Sequence, residues 1–132
     1  MQSVTVSRAL REQHCRDESY HGEADGLFPA HAVVFPRRTS EVQEIVRMCT
    51  KDKIPIVPSG ACTSLEGHLA ALNGGICLNM REMNAVLEVN AEDMDVRAQA
   101  GVTRKQLNAY IRDTGLMFTV DPGADATLGK LQ

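Results

Sequence analysis

The residue types best suited to chemistry fall in two small-residue segments. The first is Pro58-Ser59-Gly60-Ala61-Cys62-Thr63-Ser64-Leu65-Glu66-Gly67, directly after an apolar run. The second is Asp121-Pro122-Gly123-Ala124-Asp125-Ala126-Thr127-Leu128-Gly129, directly after Phe118-Thr119-Val120. Small side chains let backbone amides turn inward, and successive inward N–H groups form an anion-binding nest suited to a pyrophosphate. Thr63 and Ser64 add hydroxyl donors. The first segment is not a Walker loop, since no Gly-Lys-Ser/Thr follows, and it is not a Gly-x-Gly-x-x-Gly opening a helix. Its local composition by itself favours a flexible surface connection. Two such segments, each on the end of a strand in one small domain, shift the reading towards a shared ligand.

Other chemistries find little support. Cys15, Cys49, Cys62 and Cys77 include no Cys-x-x-Cys pair and no partner His at zinc-site spacing. They read as reduced thiols, Cys49 and Cys77 among them buried, which fits a reducing compartment. His14, His21, His31 and His68 are the imidazoles, and no Ser/His/Asp or Cys/His arrangement surrounds them. His68 follows the first segment and reads first as a solvated loop residue, with a place near a ligand of that loop as its alternative. Glu82, Glu88, Glu92, Asp93 and Asp95 read as a solvated edge, and the methionines as gap-fillers. Net charge is −3, with 17 acidic residues against 14 Lys plus Arg, and aromatics are 4% with no Trp. A nucleic-acid surface needs the opposite balance and stacking rings. No apolar run approaches the ~20 residues of a membrane span, and Met1–Gln13 lacks a signal-peptide core.

The elements that position the two segments follow from periodicity. With 132 residues the chain is one ordinary domain. A short helix is expected over Ser7–Cys15. Ala32–Phe35 and Ile54–Val57 read as strands on either side of a helix, giving a β–α–β unit with a parallel pair. That helix carries Val42, Ile45, Val46 and Cys49 on one face, with Ser40 as cap, Gln43 closing the box and an end near Lys51–Lys53. Ile76–Asn79 is a third strand after the turn Asn73-Gly74-Gly75. Ala85–Val89 and Val96–Gln99 form a hairpin around Asn90–Asp95. Thr103 with Gln106 opens another helix, whose inner face is Leu107, Tyr110, Ile111 and Thr114 and whose stop is Gly115. Phe118–Val120 reads as a last strand.

Taken together, Val33-Val34-Phe35-Pro36, Pro55-Ile56-Val57-Pro58-Ser59-Gly60, Thr63-Ser64-Leu65-Glu66-Gly67, Gly101-Val102-Thr103 and Val120 to Gly129 resemble the FAD-binding domain of the vanillyl-alcohol-oxidase-like flavoproteins. Within that group the chain looks most like the D-lactate dehydrogenase and glycolate oxidase FAD-subunit branch, which Arg11-Glu12-Gln13-His14 and Arg16-Asp17-Glu18-Ser19 also resemble. The resemblance implies an α+β, PCMH-type FAD-binding domain that is incomplete: a β-α-β unit followed by a mixed strand-helix-strand subdomain. Residues 1–30 would be an N-terminal extension and 31–132 the truncated domain.

The resemblance further implies FAD as cofactor. Pro58, Ser59, Gly60, Ala61, Cys62, Thr63, Ser64 and Gly67 would lie at its pyrophosphate, and Pro122, Gly123, Asp125, Thr127 and Gly129 near its flavin. A turn-capping carboxylate is the alternative reading of Asp125. Two departures stand out. The family usually has Gly where this chain has Cys62. A further Gly with Met-Ala-Ala-Thr-Asn is expected after Gly129, where this chain ends Lys130-Leu131-Gln132. The family's catalytic histidines and substrate-carboxylate clamp belong to a cap domain expected beyond that point. The expectation is therefore the FAD-binding portion of a 2-hydroxy-acid oxidoreductase, inactive alone, without catalytic residues or metal ligands of its own. Its alternatives are a fragment that assembles with a separately encoded C-terminal half, or a pseudogene product. The expected compartment is the cytoplasm, or the mitochondrion for a eukaryotic source.

Overall fold

Strands that alternate their side chains between two faces need cover on both when they run parallel, and the apolar runs of this chain are covered in that way. The structure is a computed structural model that describes residues 3–19, 28–121 and 123–130. It contains β1 (Ser3–Thr5), α1 (Arg8–Gln13), β2 (Ala32–Phe35), α2 (Thr39–Asp52), β3 (Ile56–Ser59), β4 (Ile76–Asn79), β5 (Val86–Asn90), β6 (Asp95–Ala98) and α3 (Arg104–Ile111). Among the described residues, a four-stranded sheet has the order β1-β2-β4-β3, and β5 and β6 form a separate hairpin.

β2, β4 and β3 are parallel, with Val33 beside Cys77 and Cys77 beside Val57. β2 and β3 are therefore not neighbours, as the expected β–α–β pair would have them: β4 lies between. Val34 and Leu78 face α2, where Ile45 and Cys49 meet them with Val42, Ile56 and Ile76. Val33 and Cys77 face the other way, onto Ala30, Ala71, Phe35 and Val57. β1 adds an antiparallel edge to β2, an element without a sequence signal because three residues carry no periodicity.

Several boundaries differ from expectation for local reasons. The α2 N-terminus is closed by Glu41, not by Ser40 with Gln43. The Glu41 carboxylate accepts from the backbone N–H of Arg37 (2.7 Å) and of Arg38 (3.3 Å), so the helix starts at Thr39. At its other end Lys53 turns left-handed at φ 54°, and Ile54 N–H returns to the Cys49 carbonyl at 2.8 Å. Ile54 is thereby spent on ending the helix, and β3 begins at Ile56.

The hairpin and α3 share a second core. Val102, Leu107 and Ile111 are its buried centre, flanked by Val86, Val89, Ala98, Leu116, Phe118 and Leu128. The Thr103–Gln106 capping box forms as expected, with Gln106 N–H donating to Thr103 Oγ1 (3.2 Å) and Thr103 N–H to Gln106 Oε1 (2.9 Å). Tyr110 and Thr114 do not join the inner face. Tyr110 is 63% exposed, and the chain tightens into a 3-10 turn at Arg112–Thr114 before the left-handed Gly115. Phe118–Val120 is irregular chain, not a strand. Its backbone is held by a side chain instead, with Asn108 Oδ1 accepting from Phe118 N–H (2.7 Å) and Asn108 Nδ2 donating to the Phe118 carbonyl (3.1 Å).

Candidate functional site

β3 and β4 reach their carboxyl ends side by side, at Ser59 and Asn79. Ligands of open parallel sheets gather at this edge, where strand ends release the chain into loops. Here the strands open into a cavity of about 160 Å³. Pro58, Ser59, Gly60 and Cys62 of the first loop line it together with Thr127 and Gly129 of the second. His68, Leu69, Met80 and Ala100 complete the wall. The two segments singled out in the sequence thus enclose one space.

Their apposition depends on Gly60. A Cβ at this position would lie 2.4 Å from Thr127 Oγ1, inside any tolerable contact. Thr127 is 2% exposed and is fixed from behind. It bridges Thr103, while Leu128 N–H donates to the Val102 carbonyl at 2.7 Å and Gly129 N–H to the Ala100 carbonyl at 3.0 Å. The turn before α3 is seated as closely: a Cβ on Gly101 would lie 2.4 Å from the Met80 carbonyl oxygen. The second core therefore holds one loop and the sheet holds the other.

Within the first loop, Ser59 is buried and its Oγ lies 3.3 Å from Cys77 Sγ. Ala61 and Thr63 are half-buried and outside the cavity wall. Ser64 is buried and shapes the loop: its Oγ accepts from Glu66 N–H (3.3 Å) and its carbonyl from Glu18 N–H (2.8 Å). Gly67 N–H donates to Asp17 Oδ2 at 3.0 Å. In the second loop Gly123 and Asp125 are exposed and outside the wall. Asp125 Oδ1 lies 3.5 Å from the backbone N of Lys105 in the first turn of α3, a contact to a distant helix N-terminus and not within its own turn. Pro122 lies outside the described residues.

Cys62 takes a left-handed conformation at φ 59°. A residue with a Cβ is strained there by roughly 1–2 kcal/mol, which glycine escapes. Cys62→Gly is accordingly expected to stabilise the chain by about 0.5–1 kcal/mol, net of glycine's larger unfolded-state entropy. A thermal melt checks this, and an unchanged or lower midpoint would contradict it.

Local sequence does not point to Leu69, Met80 or Ala100, whereas His68 is legible as a loop residue near a ligand: its side chain is half exposed and it lines the wall. His68 and Leu69 follow the first loop directly, while Met80 and Ala100 come from distant segments. The other described cysteines are buried, and burial pushes the thiols of Cys15, Cys49 and Cys77 up, away from reactive thiolate. His31 has a structural task, since its Nδ1 accepts from Gly75 N–H at 3.1 Å and pins the turn before β4.

The wall fits an anionic group beside an apolar one. No carboxylate is among its described lining residues; hydroxyls, an imidazole and small-residue backbone stand on one part, and Leu69, Met80 and Ala100 on another. Asn79, in register with Ser59 and next to Met80, keeps its Nδ2 buried without a hydrogen-bond partner among the described residues, a donor in want of an acceptor. The volume is below the roughly 300–1,000 Å³ of sites that enclose a whole small ligand. The cavity therefore suits one part of a larger ligand.

Comparisons with known proteins identify the family. The family described as "FAD binding domain" matches residues 30–129. A Danio rerio protein named "Probable D-lactate dehydrogenase, mitochondrial" is 50% identical over 127 residues, 96% of this chain and 25% of its own length. Glycolate oxidase subunit GlcD of Bacillus subtilis is 33% identical over 93 residues, 70% of this chain and 20% of its own length. Among solved structures, an alkyldihydroxyacetonephosphate synthase superposes with TM-score 0.85 at 22% identity, covering 96% of this chain and 25% of its own. A 4-ethylphenol oxidase from Gulosibacter chungangensis gives 0.74 at 29% identity, over 90% and 23%. The chain spans about a quarter of the length of the relatives it matches. Among the described residues no helix is long and apolar enough to cross a membrane. By its match over residues 30–129, the chain belongs to the FAD-binding domain family, and its cofactor is FAD.

Proposed function

We propose that the chain serves as the FAD-binding portion of a flavin-dependent 2-hydroxy-acid oxidoreductase of the D-lactate dehydrogenase or glycolate oxidase type. One observation carries the reading: the Gly60–Thr127 contact brings two small-residue loops around a single cavity whose described wall is free of carboxylates. The names of the relatives supply the substrate class. Bound FAD supplies the hydride-accepting chemistry, and the protein supplies binding and orientation. The residues assigned to the pyrophosphate are Pro58, Ser59, Gly60, Ala61, Cys62, Thr63, Ser64 and Gly67. Pro122, Gly123, Asp125, Thr127 and Gly129 are assigned to the flavin side, with 1–30 as an extension and 31–132 as the cofactor-binding unit. Ser64 and Gly67 act by fixing the loop, because their hydrogen bonds run to Glu66, Glu18 and Asp17.

In this reading turnover requires further protein, because the chain spans only about a quarter of the length of the relatives whose activity is proposed for it. An apolar groove supports the same view. Val89, Val96, Leu107, Ile111, Leu116 and Phe118 line it, with Met94 at 78% and Met117 at 69% exposure on its rim. Such a face is suited to the remaining part of a longer enzyme, in the same chain or encoded separately. The mitochondrial names of the Danio rerio and Arabidopsis thaliana relatives favour that compartment over the cytoplasm.

The test is a titration of the 132-residue chain with FAD, following flavin fluorescence, on protein shown to be folded by far-UV circular dichroism. Saturable one-to-one uptake is the expected result. A folded chain that takes up no FAD would defeat the claim that these loops suffice.

A further inference from the structure

We propose that Asp17 is a positioning residue of the FAD site, which braces the first loop at Gly67 and orients His68 as a further cofactor-binding side chain. The proposal rests on the FAD-binding reading above, and it concerns a residue ahead of the 30–129 family match.

The geometry starts from a buried carboxylate. The Asp17 side chain has no exposed surface. A carboxylate so placed must be fully hydrogen-bonded. Asp17 Oδ1 accepts from Ser19 N–H (3.0 Å) and from the Ser19 hydroxyl, and Oδ2 accepts from Gly67 N–H (3.0 Å). Burial pushes its carboxyl up, but the bonds from Ser19 and Gly67 outweigh this and hold it below the usual range. Oδ2 also lies 3.7 Å from His68 Nδ1. That is beyond hydrogen-bond length and the His68 side chain is half exposed, so the carboxylate biases the ring's orientation without fixing it and leaves the other nitrogen for another partner. His68 is part of the cavity wall, which supplies that partner's place.

Neighbouring contacts make the same connection. Glu18 N–H donates to the Ser64 carbonyl at 2.8 Å, one residue after Asp17 and three before Gly67. Cys15 is buried, with its Sγ 3.1 Å from the Glu12 carbonyl, and anchors the segment as it leaves α1. Asp17, Glu18 and Ser19 thus lie along the first loop and hold its far end, while β3 holds its near end at Ser59. A loop fixed at both ends presents its amides in place before the ligand arrives, and the cost of ordering it on binding falls.

The experiment uses the full 132-residue chain as wild type, Asp17→Asn, His68→Gln, the double variant, Ser19→Ala, and Arg8→Ala as a distant control. Amide hydrogen exchange is measured first, without FAD. An Asn at position 17 has one acceptor oxygen where two are needed, so exchange at Gly67 is expected to speed up at least tenfold while β4 is unchanged. FAD titration follows. Asp17→Asn and His68→Gln are each expected to raise Kd about tenfold, with thermal midpoints near wild type. In the double variant Kd falls short of the product of the single effects, because Asp17 acts partly through His68. Unchanged exchange at Gly67 in Asp17→Asn overturns the brace, whatever FAD does. Faster exchange with wild-type Kd in both single variants overturns the positioning role and leaves a purely structural clip. If wild type itself takes up no FAD, the FAD-binding reading of this chain fails, and the exchange arm still decides for or against the brace. Should Asp17→Asn not fold, Ser19→Ala removes one donor to the same carboxylate, and a Gly67 amide that exchanges as in wild type overturns the brace there.

Discussion

Gly60→Ala is expected to lower FAD affinity at least a hundredfold in a chain whose four-stranded sheet remains folded. The added methyl would lie 2.4 Å from Thr127 Oγ1, and neither side can easily yield. Gly60 follows directly on β3, which is paired with β4 through Ser59. Thr127 is buried, bridged to Thr103, and followed by a residue bonded to Val102. The methyl must therefore push the two loops apart or force Thr127 from its rotamer, at a cost of about 1–3 kcal/mol. Either response displaces the shared wall of the cavity. Titration with FAD measures the first effect and urea unfolding the second. The cause can be isolated with Gly60→Ala/Thr127→Ala, since the remaining Thr127 Cβ would stand 3.6 Å away, an ordinary contact. Stability should then recover while affinity need not. A Gly60→Ala chain that binds FAD as wild type would show that the Gly60–Thr127 contact does not organise the site.

Much of this arrangement is legible in the amino-acid sequence, and what is hidden there shares one cause. Ala32–Phe35 and Ile76–Asn79 are readable to the residue because parallel strands buried on both faces leave uninterrupted apolar runs. The Thr103–Gln106 cap is readable because both partners of the box lie three residues apart. The departure at Cys62 is also legible, and the fold gives it physical content in a positive φ. Sequence pattern is silent on features set by residues far apart. The insertion of β4 between β2 and β3 is a matter of sheet order. Met80 and Ala100 reach the cavity through the packing of separate stretches of chain. Tyr110 has the spacing of an inner-face residue, yet α3 is too short for its periodicity to fix which positions the hairpin covers. Asp125 shows the same limit, for its sequence suggests a carboxylate capping its own turn, whereas its Oδ1 lies near the backbone N–H of Lys105, twenty residues away in the first turn of α3.

Leu107→Ala should be the most damaging single change in the second core, costing about 3 kcal/mol in urea unfolding. Leu107 is fully buried between Val102 and Ile111, and the hairpin residues Val86, Val89 and Ala98 close over the same cluster. A two-stranded hairpin is marginal in water by itself, so β5 and β6 depend on this packing. Total stabilities of domains lie near 5–15 kcal/mol, which makes the loss a large fraction of what holds the chain together. The damage should be uneven. Hydrogen exchange is expected to accelerate across β5, β6 and α3, while β2 and β4, packed on α2 through Val34, Ile45, Cys49 and Leu78, change less. FAD affinity should fall with it although Leu107 is absent from the cavity wall. Leu128 belongs to the Leu107 cluster and adjoins Thr127, so loosening the cluster frees the second loop from the first. A loss under about 1 kcal/mol, well below the usual cost of emptying a buried leucine site, or uniform acceleration across both cores, would mean that the hairpin and α3 do not form a separate packing unit. An unchanged FAD affinity would mean that the second loop is held by the sheet alone.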